Sequence, residues 1–121
     1  MLRFNGLREK GKRLDNLKKL VHFLDEKKAL NIKVLDLSST SSMVSYAIIA
    51  DASNTRLLNA LKDYCVEYAE SIGYVLHHVE GHSESDWILI DLGTVCIHLF
   101  LTESRFYYRL EDLWLDKLIK L

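Results

Sequence analysis

Trp87-Ile88-Leu89-Ile90-Asp91-Leu92-Gly93-Thr94-Val95-Cys96-Ile97-His98-Leu99-Phe100-Leu101 is the stretch whose reading decides how this chain folds. Trp87–Leu92 and Val95–Leu101 are apolar runs of strand length on either side of Gly93, so the segment reads as a β-hairpin. With the turn set so that Asp91 pairs with Thr94, Ile90 faces Val95, Leu89 faces Cys96, Ile88 faces Ile97 and Trp87 faces His98. Alternation then sends Ile88, Ile90, Val95, Ile97 and Leu99, all aliphatic, to the core side. The other side carries Trp87, Leu89, Asp91, Thr94, Cys96, His98 and Phe100. Two readings of this mixed side stay open. Its blend of aromatic and polar groups is what the centres of protein interfaces contain. A second helix laid over it would instead make Trp87 ordinary core, since Trp is largely buried on average. A one-residue slip of register would exchange the two sides.

Upstream of the hairpin the pattern alternates between helix and strand. Leu14, Leu17, Leu20, Val21 and Leu24 recur at helical spacing, giving an amphipathic helix over 14–29. Ile32–Leu37 is an aliphatic strand, and the Ser38–Ser42 cluster is a loop. Tyr46–Ala50 is apolar on both faces, which places it centrally in the sheet. Ser53 is positioned to cap a helix with an apolar stripe of Leu57, Leu58, Leu61, Cys65, Tyr68, Ala69 and Ile72, and Gly73 suits its left-handed stop. A third strand follows over 74–79, then a polar loop over 80–86. Beyond the hairpin a last helical region begins near Glu103 and includes Tyr107, Leu110, Leu113 and Trp114. The order α-β-β-α-β-β-β-α predicts an α/β fold, a five-stranded mixed sheet flanked by helices. Residues 14–121 read as a single domain, preceded by a flexible segment 1–13.

Composition agrees with a chain of this kind. Of the 121 residues, 49% are hydrophobic and 27% charged, enough apolar material for one core. Absent proline and five glycines leave no linker or low-complexity segment. No apolar run approaches the ~20 residues of a membrane helix, and the N-terminal residues lack the apolar core of a secretion signal. Cys65 and Cys96 sit inside apolar segments and read as buried free thiols, which suits a reducing cytoplasm. Net charge is −1, unevenly spread: residues 1–33 hold ten Lys/Arg against four Asp/Glu, +6, and residues 34–121 hold six against thirteen, −7. An acidic body repels bare nucleic acid and attracts a basic protein.

Enzymatic constellations are hard to find. No Gly-rich phosphate loop and no paired-cysteine zinc signature occur. His77 and His78 are adjacent, so on a strand they point to opposite faces and cannot share a metal. His82 lies in a polar loop, and His22 sits at the edge of the first helix's apolar stripe. The serines from Ser38 to Ser45 have no neighbouring base to activate one of them. Asp91 and His98 could approach across the hairpin, where a structural hydrogen bond is the simpler use of both. No catalytic residue, metal or cofactor is therefore expected.

Taken together, several segments resemble the ribosomal silencing factor (Iojap-related) family. They are Val79-Glu80-Gly81, Asp86 through Gly93, Val95-Cys96-Ile97-His98, and the run from Ser104 to Trp114. Leu35-Asp36-Leu37, Ser41-Ser42, Tyr46–Ala50 and Ser53-Asn54-Thr55-Arg56 extend the resemblance over about 14–114. Thr94 stands where the family usually has a carboxylate, so a contact made by that carboxylate is not carried over. Ser39 or Thr40 and Asp51-Ala52 stand where glycine is common. The resemblance implies an α/β fold similar to nucleotidyltransferases but without their catalytic motif. It implies a non-enzymatic cytoplasmic repressor of translation that binds the large ribosomal subunit through ribosomal protein fourteen and blocks joining of the small subunit. A homodimer is also implied, and neither DNA nor a membrane is an expected partner. The expected partner-binding residues are Trp87, Leu89, Asp91, Leu92, His98, Phe100, Arg105, Tyr107 and Tyr108. Two other readings compete: a nucleotidyltransferase-type enzyme, for which no pair of metal-binding carboxylates stands on a strand because Asp36 and Asp91 each stand alone, and a homodimeric module for some other basic partner.

Overall fold

A computed structural model describes residues 2–39, 44–108 and 117–121; for 2–10, 12 and 106–108 only the backbone is described. Nine elements follow one another: α1 (Leu2–Glu26), β1 (Leu30–Asp36), β2 (Tyr46–Ala52), α2 (Thr55–Ser71), β3 (His78–Glu80), β4 (Trp87–Asp91), β5 (Val95–Leu101), α3 (Thr102–Tyr108) and β6 (Leu118–Ile119). The strands form one mixed sheet in the order β3-β4-β5-β2-β1-β6. β2 and β5 run parallel and the other described pairs antiparallel. Six strands replace the expected five. The sixth, β6, is two residues long and pairs with Val34 and Leu35 of β1, too short a run for any periodicity to mark.

The central strand is the one expected to be central. Every residue of β2 is buried, because it is hydrogen-bonded on both sides and covered on both faces. On one face, Ile48, Ala50, Ile88, Ile90, Val95, Ile97 and Leu99 meet Leu17, Leu20 and Leu24 of α1 and Leu58, Leu61, Cys65 and Ala69 of α2 in one cluster. Phe23 stacks on Tyr68 at 4.2 Å and 4°, locking the two helices side by side. Each of these large aliphatic side chains contributes roughly 1.5–3 kcal/mol by leaving water.

Helix ends show where local chemistry decided. The N-cap of α2 is Asn54, one residue after the expected Ser53; its Oδ1 accepts the Leu57 amide at 2.8 Å. Gly73 stops α2 as expected: it adopts φ +104, and the Gly73 and Tyr74 amides donate to the Glu70 and Ala69 carbonyls. α1 starts at Leu2, well before the apolar stripe at Leu14. β3 is shorter than expected, His78–Glu80 rather than 74–79. Of the predicted C-terminal helix, α3 covers Thr102–Tyr108; Leu110, Leu113 and Trp114 lie outside the described residues, as do Ser41 and Ser42.

Candidate functional site

The hairpin forms, with its turn one residue later than expected. Trp87 pairs with Phe100, Ile88 with Leu99, Leu89 with His98, Ile90 with Ile97 and Asp91 with Cys96. The turn is Gly93-Thr94, closed by the Leu92 amide on the Val95 carbonyl at 2.9 Å. Asp91 explains the shift: its Oδ1 accepts the Gly93 amide at 2.8 Å, and Gly93 takes φ +88, which a side chain would resist. Each cross-strand pair moves by two residues. Two is the side-chain period of a strand, so both faces keep their expected members.

The mixed side therefore exists, and the structure splits it in two. Towards β1, Leu35, Leu37, Ala47, Ile49 and Phe100 are buried, with Val44 and Trp87 packed against them. Towards β3, Trp87, Leu89, Asp91, Cys96 and His98 are half-buried, and His78 and Glu80 continue the face through their pairing with Asp91 and Leu89. One half is second core, the other a half-buried strip at the surface.

Aromatic packing builds the strip. The Trp87 ring stacks on Phe100 at 5.1 Å and lies 5.8 Å from His98, contacts worth about 0.5–1.5 kcal/mol each beyond area burial. The Trp87 Nε1–H donates to His98 Nδ1 at 3.2 Å. Nδ1 must keep its lone pair to accept, and burial pulls the His98 pKa down to about 4, so the imidazole is neutral at physiological pH. The expected Asp91–His98 contact is replaced: Asp91 holds the turn and accepts weakly from the Cys96 thiol at 3.9 Å. Burial, then Asp91, pushes the Cys96 thiol up to about 11, and burial pushes Cys65 up to about 12. Both thiols are free and stay protonated, which makes them poor nucleophiles.

Beside Trp87 lies a groove of about 270 Å³ lined by Glu80, Gly81, Ser85, Asp86, Trp87 and Leu89. It offers carboxylates next to an indole, a combination that suits a basic side chain. A larger groove of about 520 Å³ lies between α1 and β1, lined by Lys18, His22, Asp25 and Asn31 among others. No Phe, Tyr or Trp is among its described lining residues.

Several residues expected at the partner surface have other roles. Leu92 is 4% exposed and belongs to the core under the helices; its place just beyond β4 turns it away from the strip. Phe100 is 1% exposed and supports Trp87 from beneath. Arg105 Nη1 lies 2.7 Å from Asp51 Oδ1 and 2.6 Å from the Asn31 carbonyl. Asp51, fully buried, also accepts from Asn31 Nδ2 at 3.1 Å and Thr102 Oγ1 at 2.5 Å. Arg105 is thus the counter-charge of a buried carboxylate, pinning α3 to the sheet. No sequence pattern announces a pair 54 residues apart. The side chains of Tyr107 and Tyr108 lie outside the described residues. Among the described residues, no group of three or more His, Cys, Asp or Glu converges to hold a metal ion, and no helix is long and apolar enough to cross a membrane.

The sequence matches the model of the family described as "Ribosomal silencing factor during starvation" over residues 11–120. The chain belongs to the ribosomal silencing factor family. Among its relatives, "Ribosomal silencing factor RsfS" of Bacillus subtilis is 34% identical over 92 residues, covering 76% of this chain and 78% of that one. The mouse protein "Mitochondrial assembly of ribosomal large subunit protein 1" is 34% identical over 100 residues, 78% of this chain and 43% of the relative. A crystal structure of a Chromobacterium violaceum protein superposes with a TM-score of 0.79 at 30% identity, covering 84% of each chain. Ribosomal silencing factor names describe regulators of the ribosome rather than enzymes.

Proposed function

We propose that this ribosomal silencing factor binds the large ribosomal subunit through ribosomal protein fourteen and, by bulk alone, blocks joining of the small subunit. Residues 14–121 are the domain that does so. The observation that carries this reading is the half-buried strip of Trp87, Leu89 and His98 beside a groove with two carboxylates, on a body whose charge from 34 to 121 is −7. A basic protein is the complement of such a surface. The chain exposes 7835 Å², of which a standard interface takes roughly 800 Å², about a tenth. No bond is made or broken; the factor and the small subunit compete for space, and affinity and concentration decide the outcome. A Kd near ~1 μM corresponds to roughly −8 kcal/mol.

Trp87→Ala removes the anchor and is expected to cost ~2 kcal/mol or more, about thirtyfold in affinity. Co-sedimentation with purified large subunits reads this, with circular dichroism confirming the fold. Leu89→Arg supplies a second variant that keeps the Trp87–Phe100 stack and sets a positive charge against the basic partner. Light scattering of the two subunits then reads joining, which the unaltered protein suppresses and both variants restore. A folded Trp87→Ala protein that binds large subunits as before would remove this face from the interface. The competing occupant of the same face is a second copy of the chain, which sedimentation velocity of the protein alone detects.

A further inference from the structure

Three side chains stand in one row across the second face of the sheet. Trp87 of β4 pairs with Phe100 of β5, and Phe100 pairs with Asp51 of β2. Adjacent strands lie about 4.8 Å apart. The Phe100 ring therefore has the Trp87 indole, stacked at 5.1 Å, on one side and Asp51 as its neighbour on the other. Asp51 is fully buried. An apolar side chain would fill that place at less cost than a carboxylate, as Leu35, Ala47 and Ile49 do elsewhere on this face.

What the carboxylate adds is direction. Its Oδ1 accepts from Arg105 Nη1 at 2.7 Å and from Asn31 Nδ2 at 3.1 Å, and its Oδ2 accepts from Thr102 Oγ1 at 2.5 Å. The same Arg105 nitrogen donates to the Asn31 carbonyl at 2.6 Å. Asn31 reaches the cluster with both groups because the register of β1 shifts between Leu30 and Lys33, with Asn31 at φ +51. Asparagine adopts that left-handed conformation more readily than most side chains do. One point thus ties β1, β2 and α3. Thr102 follows Leu101, whose amide donates to the Asp86 carbonyl at 2.9 Å, and Asp86 precedes Trp87. Two routes lead from Asp51 to Trp87, one through the Phe100 ring and one through the backbone.

We propose that Asp51 is a positioning residue for the docking face: the cluster it organises fixes Phe100 and the Leu101–Asp86 link, and so holds the Trp87 indole in the orientation that the large subunit receives. This rests on the Trp87 face being the docking surface. A ring ordered before contact loses less freedom on binding. Without the cluster the indole must be ordered at the interface, and affinity falls although Asp51, fully buried, lies out of a partner's reach.

The test uses the full chain and purified large subunits. Asp51→Asn keeps the side chain's shape and removes its charge and one acceptor. Thr102→Val removes one donor and is the milder change, which decides the matter if Asp51→Asn does not fold. Of the chain's two indoles, the Trp87 signal is the one missing from Trp87→Ala. In each unbound variant the Trp87 Nε1–H NMR signal broadens and its exchange with solvent quickens about tenfold, while circular dichroism stays native. Large-subunit affinity falls about tenfold in Asp51→Asn and about threefold in Thr102→Val. In the Trp87→Ala background the same substitutions change affinity less than about twofold, because no indole is left to position. A role in stability alone gives equal losses in both backgrounds and leaves the indole signal sharp. The proposal is overturned by Thr102→Val, together with any folded Asp51→Asn, binding like the unaltered protein, by equal losses in both backgrounds, or by an indole signal that neither substitution moves. With Trp87→Ala binding weakly, each of these outcomes leaves the docking surface in place; a Trp87→Ala protein that binds as before overturns both.

Discussion

Acidification should destabilise this protein through His98 before the shared titration of carboxylates explains the loss. His98 sits on β5 with Nδ1 accepting from the Trp87 indole at 3.2 Å, and burial lowers its pKa from 6.5 to about 4. The unfolded chain keeps the ordinary value. Above pH 6.5 the imidazole is neutral in both states and contributes no pH dependence. As pH falls below 6.5 the unfolded state takes up the proton and the folded state does not, so stability falls, and the loss levels off below about 4. At about 1.36 kcal/mol per pKa unit the full difference is roughly 3 kcal/mol, of which about 2.5 kcal/mol has developed at pH 4.5. Partial exposure makes these upper figures. Urea denaturation at pH 7.0 and 4.5, followed by tryptophan fluorescence and circular dichroism, gives the loss for the unaltered protein and for His98→Gln. Background carboxylates titrate in both, so the excess loss in the unaltered protein isolates His98. An NMR titration of the imidazole reads the folded pKa directly. The reasoning is refuted if His98 titrates near 6.5, or if the two proteins lose stability in parallel.

Two further predictions concern what holds the strip in place. Arg105→Leu leaves the fully buried Asp51 carboxylate without its counter-charge, and should cost about 3–5 kcal/mol in urea denaturation; a loss under about 1 kcal/mol would mean that Asn31 and Thr102 suffice for Asp51. Gly81→Ala forces a side chain onto φ +110 with its Cβ 3.0 Å from the Trp87 carbonyl, so a loss of about 1–3 kcal/mol should accompany a shifted Trp87 emission. An unchanged spectrum would uncouple that turn from the strip.

The site was half legible. Strand alternation alone assigned Trp87, Leu89, Asp91, Cys96 and His98 to one face, and a turn misplaced by one residue left that assignment intact because the pairing moved by a whole side-chain period. The turn itself was misplaced because Asp91 bonds the Gly93 amide, a local contact that competes with the ladder. Phe100 shares the face, yet it is fully buried while His98 is half-buried. That difference depends on how far along the sheet the second core reaches, which no alternation encodes. Arg105 looked like a surface cation because charge is usually solvated; only the fold brings Asp51, Asn31 and Thr102 around it.

By itself the sequence determined what depends on near neighbours. The periods of helix and strand, the all-apolar central strand at Tyr46–Ala50, the Gly73 stop, the free buried thiol of Cys65 and the opposite charges of the first third and the body all follow from residues a few positions apart. Tertiary structure decided what depends on distant ones. It settled the two-residue β6 on the edge beside β1, the pairing of Asp51 with Arg105, and the division of the hairpin's mixed face into a buried half and a surface strip. Local propensity fixes dihedral angles and side-chain direction, but burial and charge pairing arise when segments remote in the chain meet.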